Sequence, residues 1–141
     1  VIEVDKFYKK ILNKNAKFGI TGLNPHCESS DKNSEEKRII NPAIKKLQKR
    51  GIRINGPYPA DTVFLKKNRN NLNVIVGMYH DQVLSPIKTL FEFCAINITI
   101  GLPFIRITPD HGPNNLMLGK NKSDPSSLIE AFKFIKNLRG N

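Results

Sequence analysis

Short apolar runs that alternate with amphipathic stretches constrain the fold of this chain more than any other feature of its sequence. The runs 17–23 and 74–78 have the length and composition of buried strands, whereas Ile40, Ile44 and Leu47 recur at the spacing of one helical face. Strands that alternate with helices are typical of an α/β fold. We therefore predict a mainly parallel sheet with flanking helices.

The remaining elements follow from the same periodicities and from turn residues. Asn33 and Glu36 have the spacing of a capping box, which would begin a helix that Pro42 kinks or restarts and that Gly51 ends. The Asp124-Pro125 pair predicts the start of the last helix. Further helices are predicted at about 4–14 and 81–90, one or two helical turns at 60–65, a turn at 56–59, strands at 52–55, 96–100 and 104–107, and polar loops at 24–34 and 110–123.

Composition sets limits on the class of protein. The formal net charge is +11 and the hydrophobic content is 39%. The basic residues are scattered and the chain has no Trp, so a solvated basic surface is favoured over a nucleic-acid-binding face. The positive electrostatic field of this surface also suits an anionic substrate. No apolar run reaches the length of a membrane span. Cys27 and Cys94 lie far apart, which favours a reduced cytoplasmic setting. Because the chain begins with Val1, it is expected to be an excerpt of a longer one.

Polar side chains follow two of the predicted strands. His26 comes after the first, and His80, Asp81 and Gln82 come after the strand 74–78. The carboxyl ends of parallel strands share one edge of a sheet, where ligand sites gather. Imidazole is the commonest side-chain metal ligand, so His26 and His80 are candidate ligands, with Asp61 and Asp81 as candidate partners of their second ring nitrogens. The alternative is a pair of hydrogen-bonding histidines at helix starts.

Five segments occur in the order of one enzyme family and at close to its spacings. They are 22–26 (Gly-Leu-Asn-Pro-His), 56–62 (Gly-Pro-Tyr-Pro-Ala-Asp-Thr), 78–82 (Met-Tyr-His-Asp-Gln), 97–106 (Asn-Ile-Thr-Ile-Gly-Leu-Pro-Phe-Ile-Arg) and 110–112 (Asp-His-Gly). Together they resemble the 4-hydroxythreonine-4-phosphate dehydrogenases of vitamin B6 (pyridoxine) biosynthesis. The resemblance extends from about Phe18 to the C-terminus.

The resemblance implies an oxidoreductase that uses NAD or NADP. Its substrate would be the phosphorylated hydroxy-amino acid 4-phosphooxy-L-threonine, and the 3-keto product would lose carbon dioxide to give 3-amino-2-oxopropyl phosphate. It also implies a fold like that of isocitrate and isopropylmalate dehydrogenases, with two α/β domains, and a homodimer with its active site across the subunit interface. Residues 1–141 would be the C-terminal part of that chain. Without the upstream half, the isolated chain is expected to be inactive.

The same resemblance implies roles for three residues near the first and third strands. His26 and His80 match metal ligands, and the third ligand of the family is a His upstream of Val1. Asp61 matches an acidic residue of the active-site region and is a predicted catalytic residue. Zn²⁺ suits imidazole ligands, while Mg²⁺, Mn²⁺ or Co²⁺ suit a site that also uses substrate oxygens.

Further roles fall on the C-terminal part of the chain. Lys88, Asn97 and Arg106 match substrate-binding positions, and Lys88 is also a predicted catalytic residue. His111 and Gly112 match the loop beside the adenosine of the cofactor. The loop after His26 departs from the family pattern, so its conformation is not implied by the resemblance. The sequence after Gly112 also departs from that pattern, so the choice between NAD and NADP stays open.

Other readings of the sequence remain. A related dehydrogenase for another phosphorylated hydroxy acid would use the same basic residues. A non-catalytic α/β binding module derived from such an enzyme is a second alternative. A basic nucleic-acid-binding domain is a third, and it predicts strongly salt-dependent binding.

Overall fold

Strand β1 (Lys17–Thr21) is the middle strand of a three-stranded parallel sheet. In the computed structural model, which describes residues 1–27 and 31–139, β2 (Arg53–Tyr58) and β3 (Val74–Val76) pair with its two edges. Phe18 lies opposite Ile54 on one side and Val74 on the other. The predicted α/β class with a parallel sheet is therefore confirmed for this part of the chain.

The sheet belongs to the first of two compact units, Val1–Pro86, and a second unit begins at Ile87. The α-helices described in the first unit begin with α1 (Ile2–Lys10), α2 (Asn41–Lys49) and α3 (Lys66–Arg69), and α4 (His80–Phe91) starts near its end. Phe18, Ile20 and Ile54 of the sheet pack with Ile40 and Ile44 in the buried core. This core explains the apolar spacing seen in the sequence, because each of these side chains leaves water when the helix covers the sheet.

Helix α2 restarts the chain after a π-helical stretch, Glu36–Ile40, with Pro42 in its first turn. Gly51 follows with a φ of 78°, a left-handed conformation that ends the helix. The capping box predicted from Asn33 and Glu36 is wrong. The carboxylate of Glu36 instead accepts a hydrogen bond from the N–H of Asn24, outside the helix.

Several predicted boundaries in the first unit also differ. Helix α1 ends at Lys10 rather than at 14, because Asn13 takes a positive φ of 50°. Strand β2 runs on to Tyr58, so the turn predicted at 56–59 is mostly strand. Residues 60–65 form hydrogen-bonded turns, and α3 begins only at Lys66. Within the predicted loop 24–34, residues 28–30 lie outside the described part of the chain.

The second unit contains β4 (Ile96–Thr99), β5 (Arg106–Pro109) and α5 (Ser126–Arg139). Strands β4 and β5 pair antiparallel, so this pair is an exception to the predicted parallel arrangement. The connection at 100–105 is too short for a parallel crossover, which takes about a dozen residues or more. Helix α5 begins one residue after the predicted Pro125, and Asp124 accepts a hydrogen bond from the Ser126 N–H at 2.8 Å.

Among the described residues, no helix is both long enough and apolar enough to span a lipid bilayer.

Candidate metal, substrate and cofactor sites

The side chain of Gln82 joins the ends of β1 and β3. Its amide nitrogen donates a hydrogen bond to the Gly22 carbonyl at 2.8 Å. Its amide oxygen accepts from the Met78 N–H at 2.7 Å and from the Thr21 hydroxyl at 2.6 Å. The residue is buried, with 6% of its surface exposed. Neighbouring strand ends are therefore held together by one amide whose donor and acceptor are both used.

The two candidate metal ligands follow these joined strand ends. His80 is the first residue of α4, and its Nδ1 lies 2.7 Å from a carboxylate oxygen of Asp81. This contact leaves Nε2 as the ring nitrogen available to a ligand, in the manner of a carboxylate–histidine–metal arrangement. His26 lies in the loop that follows β1, and both imidazoles are exposed.

The loop that carries His26 is shaped by short-range contacts. The side-chain oxygen of Asn24 accepts a hydrogen bond from the His26 N–H at 3.0 Å, and the Asn24 N–H donates to Glu36 at 2.7 Å. A Cβ at Gly22 would lie 2.5 Å from the Cys27 sulfur, so only glycine fits there. Glu36 is 3% exposed. The Asn24 N–H holds the pKa of Glu36 below its usual range and outweighs burial, which raises it.

Asp61 lies in the same part of the first unit. Burial raises the pKa of the Cys27 thiol, a hydrogen bond from Gly22 lowers it, and the carboxylates of Glu36 and Asp61 raise it further. The carboxylate of Asp61 therefore lies close enough to Cys27 to act on its thiol, and its catalytic role stays a prediction. A raised pKa disfavours the thiolate, so Cys27 is a poor candidate for a nucleophile or a metal ligand.

Across residues 1–27 and 31–139, no cluster of three or more His, Cys, Asp or Glu side chains is placed to hold a metal ion. Imidazole is a ligand that divalent ions of the zinc type bind, so His26 and His80 stay predicted metal ligands.

In the second unit, Lys88 pairs with Asp110. The Nζ of Lys88 lies 3.0 Å from a carboxylate oxygen of Asp110, and it also donates to the backbone carbonyl of the same residue. The Asp110 N–H in turn donates to the hydroxyl of Ser127 at 2.9 Å, and that hydroxyl donates to the Ala95 carbonyl. Ser127 is 2% exposed, so a buried hydroxyl fixes the residue that holds Lys88.

Asn97 and Arg106 lie on one face of the β4–β5 hairpin. Arg106 is opposite Thr99 in the antiparallel register, and Thr99 is two residues from Asn97, so all three side chains point to the same side. An Arg106 guanidinium nitrogen lies 3.3 Å from the Thr99 hydroxyl. Both predicted substrate residues are exposed on this face.

His111 and Gly112 line an open cleft of about 420 Å³ in the second unit. Phe93, Met117 and Lys122 also line it. The Nδ1 of His111 lies 3.0 Å from the Gly112 carbonyl. A cleft of this volume falls in the range of small-molecule sites, and its mixture of aromatic, apolar and basic groups suits part of a nucleotide.

Sequence reasoning missed the residues that hold these groups in place. The sequence indicates Gln82 only as a polar residue that follows a strand, and the capping-box spacing gives Glu36 the wrong hydrogen-bond partner. Ser127 was not singled out, and Asp110 was seen only as part of a motif. A signal that could identify such residues is a polar side chain at a position where the helix face is otherwise buried. A single sequence shows which positions share that face only when the helix boundaries are known.

Comparison with known proteins places these observations in one family. The family model described as "Pyridoxal phosphate biosynthetic protein PdxA" matches residues 2–135. A 4-hydroxythreonine-4-phosphate dehydrogenase from Xanthobacter autotrophicus is 46% identical over 118 residues, covering 83% of this chain and 34% of that protein. A protein from Oceanobacillus iheyensis, named as a candidate D-threonate 4-phosphate dehydrogenase, is 44% identical and covers 84% of this chain and 36% of its own length.

A solved structure from Salmonella typhimurium, named as a candidate 4-hydroxythreonine-4-phosphate dehydrogenase, has the same fold. Its TM-score is 0.78 at 36% identity, and the match covers 96% of this chain and 42% of the other. The present chain therefore spans only about a third of the length of the first curated relatives that it matches.

Replacing Glu36 by Gln tests the contact that shapes the His26 loop. A charged hydrogen bond to a buried group contributes about 1–3 kcal/mol, so we expect Glu36→Gln to lower the free energy of unfolding by that amount at neutral pH. Because the pKa of Glu36 is lowered by folding, its contribution is present above the ordinary carboxyl pKa and is lost as the pH falls through the lowered value. Urea denaturation at neutral and acid pH measures the difference.

Glu35→Gln is the matched control, because Glu35 is the neighbouring acid and is exposed. It should leave the denaturation midpoint nearly unchanged at both pH values. Equal effects of the two substitutions would contradict the role given to Glu36.

Proposed function

The chain belongs to the PdxA family of pyridoxal phosphate biosynthetic proteins, and from that premise we propose that it is the C-terminal part of a two-domain, homodimeric dehydrogenase. The proposed reaction is the NAD(P)-dependent oxidation of 4-phosphooxy-L-threonine to the 3-keto acid, which then decarboxylates to 3-amino-2-oxopropyl phosphate. The observation that carries the proposal is that His26 and His80 lie within a few residues of the carboxyl ends of two paired parallel strands, which end at Thr21 and Val76. The carboxyl edge of such a sheet is where ligands bind in α/β folds.

His26 and His80 are the proposed metal ligands within this chain. The contact between His80 Nδ1 and Asp81 supports that assignment, because it orients the ring with Nε2 available. A divalent ion bound there would act as a Lewis acid on the substrate oxygen. A third histidine is expected from outside these residues, and the identity of the ion, Zn²⁺, Mg²⁺, Mn²⁺ or Co²⁺, depends on that complete donor set.

Asp61 and Lys88 are the proposed catalytic residues. A carboxylate at Asp61 can accept the proton of the substrate hydroxyl, and the ammonium of Lys88 can stabilise negative charge on the substrate. Lys88 is held by Asp110, a geometry that keeps its charge directed and its side chain ordered. Asn97 and Arg106, on one face of the hairpin, would bind the carboxylate or phosphate, since a guanidinium pairs with such groups through two parallel hydrogen bonds.

His111 and Gly112 are the proposed cofactor residues. Their cleft would take part of the adenosine of NAD or NADP, and the nicotinamide would accept the hydride. Lys122 lines the cleft together with Asp124.

A homodimer is supported by apolar surface on the second unit. Phe104, Leu118 and Phe132 are 62%, 83% and 64% exposed. Large exposed apolar side chains in one part of a protein are typical of an interface. An active site that takes residues from two subunits would place this surface against the partner.

A second substrate is favoured by one observation. The 44% identical protein from Oceanobacillus iheyensis is named for D-threonate 4-phosphate, a phosphorylated hydroxy acid without the amino group. Steady-state assays of the complete protein with both phosphorylated compounds separate the two functions.

Replacing each proposed metal ligand tests the central assignment. In the complete protein, His26→Ala and His80→Ala should each lower bound metal well below one ion per site and abolish turnover of 4-phosphooxy-L-threonine. The reason is that each removes one of the few protein donors to the ion. Metal content after dialysis, measured by mass spectrometry, gives the result directly.

His111→Ala is the control, since His111 is assigned to the cofactor cleft. It should keep its metal and raise the KM for the dinucleotide. Full metal occupancy and activity in both the His26 and His80 variants would overturn the proposed site.

Lys88→Met tests the substrate site. Loss of a charged group that binds an anionic substrate typically costs about 2 kcal/mol or more, so kcat/KM for 4-phosphooxy-L-threonine should fall at least about thirtyfold. Lys136→Met is the control, because Lys136 is an exposed lysine on α5 with no assigned role. A Lys88→Met enzyme within twofold of the Lys136→Met enzyme would remove Lys88 from the site.

A further inference from the structure

We propose that Gln82 is the positioning residue of the candidate metal site, setting the separation of the loops that carry His26 and His80. The inference rests on the proposed function, since it assumes that these two histidines bind one ion. It goes beyond that function because it assigns a residue that would touch neither metal, substrate nor cofactor. Gln82 would act through the backbone that leads to each ligand.

The contacts of Gln82 reach both histidine-bearing segments. Gly22, whose carbonyl accepts from the Gln82 amide nitrogen, lies four residues before His26. Met78, whose N–H donates to the amide oxygen, lies two residues before His80. Gln82 itself lies in the first turn of α4, the helix that begins at His80. One side chain therefore connects the start of the His26 loop to the start of the His80 helix.

Glutamine has the chemistry that this position needs. The Gly22 carbonyl requires a donor, whereas the Met78 N–H requires an acceptor, and a primary amide supplies both. A glutamate would place an oxygen opposite the Gly22 carbonyl, and a methionine would leave both backbone groups without a partner. Gly22 also has no room for a side chain, since a Cβ there would meet the Cys27 sulfur at 2.5 Å.

The Gln82 contacts lie outside the apolar core of the sheet. That core is built from the inward faces of β1, β2 and the covering helix, with Phe18, Ile20 and Ile54 as its largest members in the strands. Gln82 instead contacts Thr21, the last residue of β1, and the backbone that leads from β1 and β3 to the ligand segments. Its loss should lower the stability of the fold and also change the ligand geometry, so the two effects have to be measured separately.

Metal affinity is the readout that separates these two effects. Loss of a residue that orients ligands typically lowers metal affinity about 10- to 100-fold. Co²⁺ is the probe, added to the metal-free, complete protein and followed by calorimetry and by its visible absorption. Gln82→Met, which has nearly the same volume and no amide, should weaken Co²⁺ binding at least about tenfold and change the absorption spectrum.

Ile54→Val is the matched control, because it removes a methyl group from the core beside β1 and leaves every Gln82 contact in place. It should destabilise the protein and keep its Co²⁺ affinity within about twofold of the wild type. A Gln82→Met protein whose Co²⁺ affinity and spectrum match those of Ile54→Val would overturn the positioning role.

Thr21→Val provides a second test if Gln82→Met does not fold. It removes the hydroxyl that contacts the Gln82 amide oxygen at 2.6 Å and the Val76 carbonyl at 3.2 Å, while both backbone contacts of Gln82 remain. We expect a smaller loss of Co²⁺ affinity, a few-fold to about tenfold. An unchanged affinity in this variant would count against the proposal in the same way.

The His26→Ala and His80→Ala proteins separate a failure of the proposed metal site from a failure of the role proposed for Gln82. If they bind Co²⁺ as tightly as the wild type does, the proposed metal site itself fails. If they lose Co²⁺ while Gln82→Met keeps it, the metal site stands and only the role of Gln82 is refuted.

Discussion

A single buried amide connects the two strand ends on which the candidate site depends. Parallel strands bring their carboxyl ends to one edge, but the backbone groups just beyond the last pairing lose their partners in the sheet. In this chain the Gln82 amide nitrogen donates to the Gly22 carbonyl, and its amide oxygen accepts from the Met78 N–H and from the Thr21 hydroxyl. Without this amide, the Met78 N–H and the carbonyl of the buried Gly22 would lose this partner, and a buried group left unsatisfied costs about 1–3 kcal/mol.

Other backbone groups beside candidate residues are also satisfied by buried polar or charged side chains. In the first unit, Glu36 accepts the Asn24 N–H, and in the second unit Ser127 accepts the Asp110 N–H. Glu36 thereby supports the loop that carries the exposed His26, and Ser127 supports Asp110, which pairs with the half-buried Lys88. In both units a buried side chain therefore fixes the backbone beside a candidate residue.

How far the sequence predicts this arrangement depends on the range of the interaction. The buried strand β1 and the helical face of Ile40 and Ile44 leave apolar patterns in the sequence, so the parallel sheet and its covering helix were predictable. The partner of Glu36 was not, because a local capping box and a contact to residue 24 fit the same spacing. The antiparallel pairing of β4 and β5 depends on a short connection whose path no periodicity reveals.

Site residues divide in the same way. His26 and His80 could be proposed because imidazoles that follow parallel strands lie where ligand sites gather in α/β folds. The resemblance to a family supplied the roles proposed for Lys88, Asn97 and Arg106. The residues that hold them, Gln82 above all, carry no signal in spacing or composition. Their roles appear only when the distances between atoms are known.

Anomalous scattering at the absorption edge of zinc, from crystals of the complete protein grown with that ion, tests the central claim most directly. We expect one strong peak, with the imidazole nitrogens of His26 and His80 about 2.0–2.1 Å from the ion and the Gln82 contacts intact. A bound ion that contacts neither histidine would contradict it.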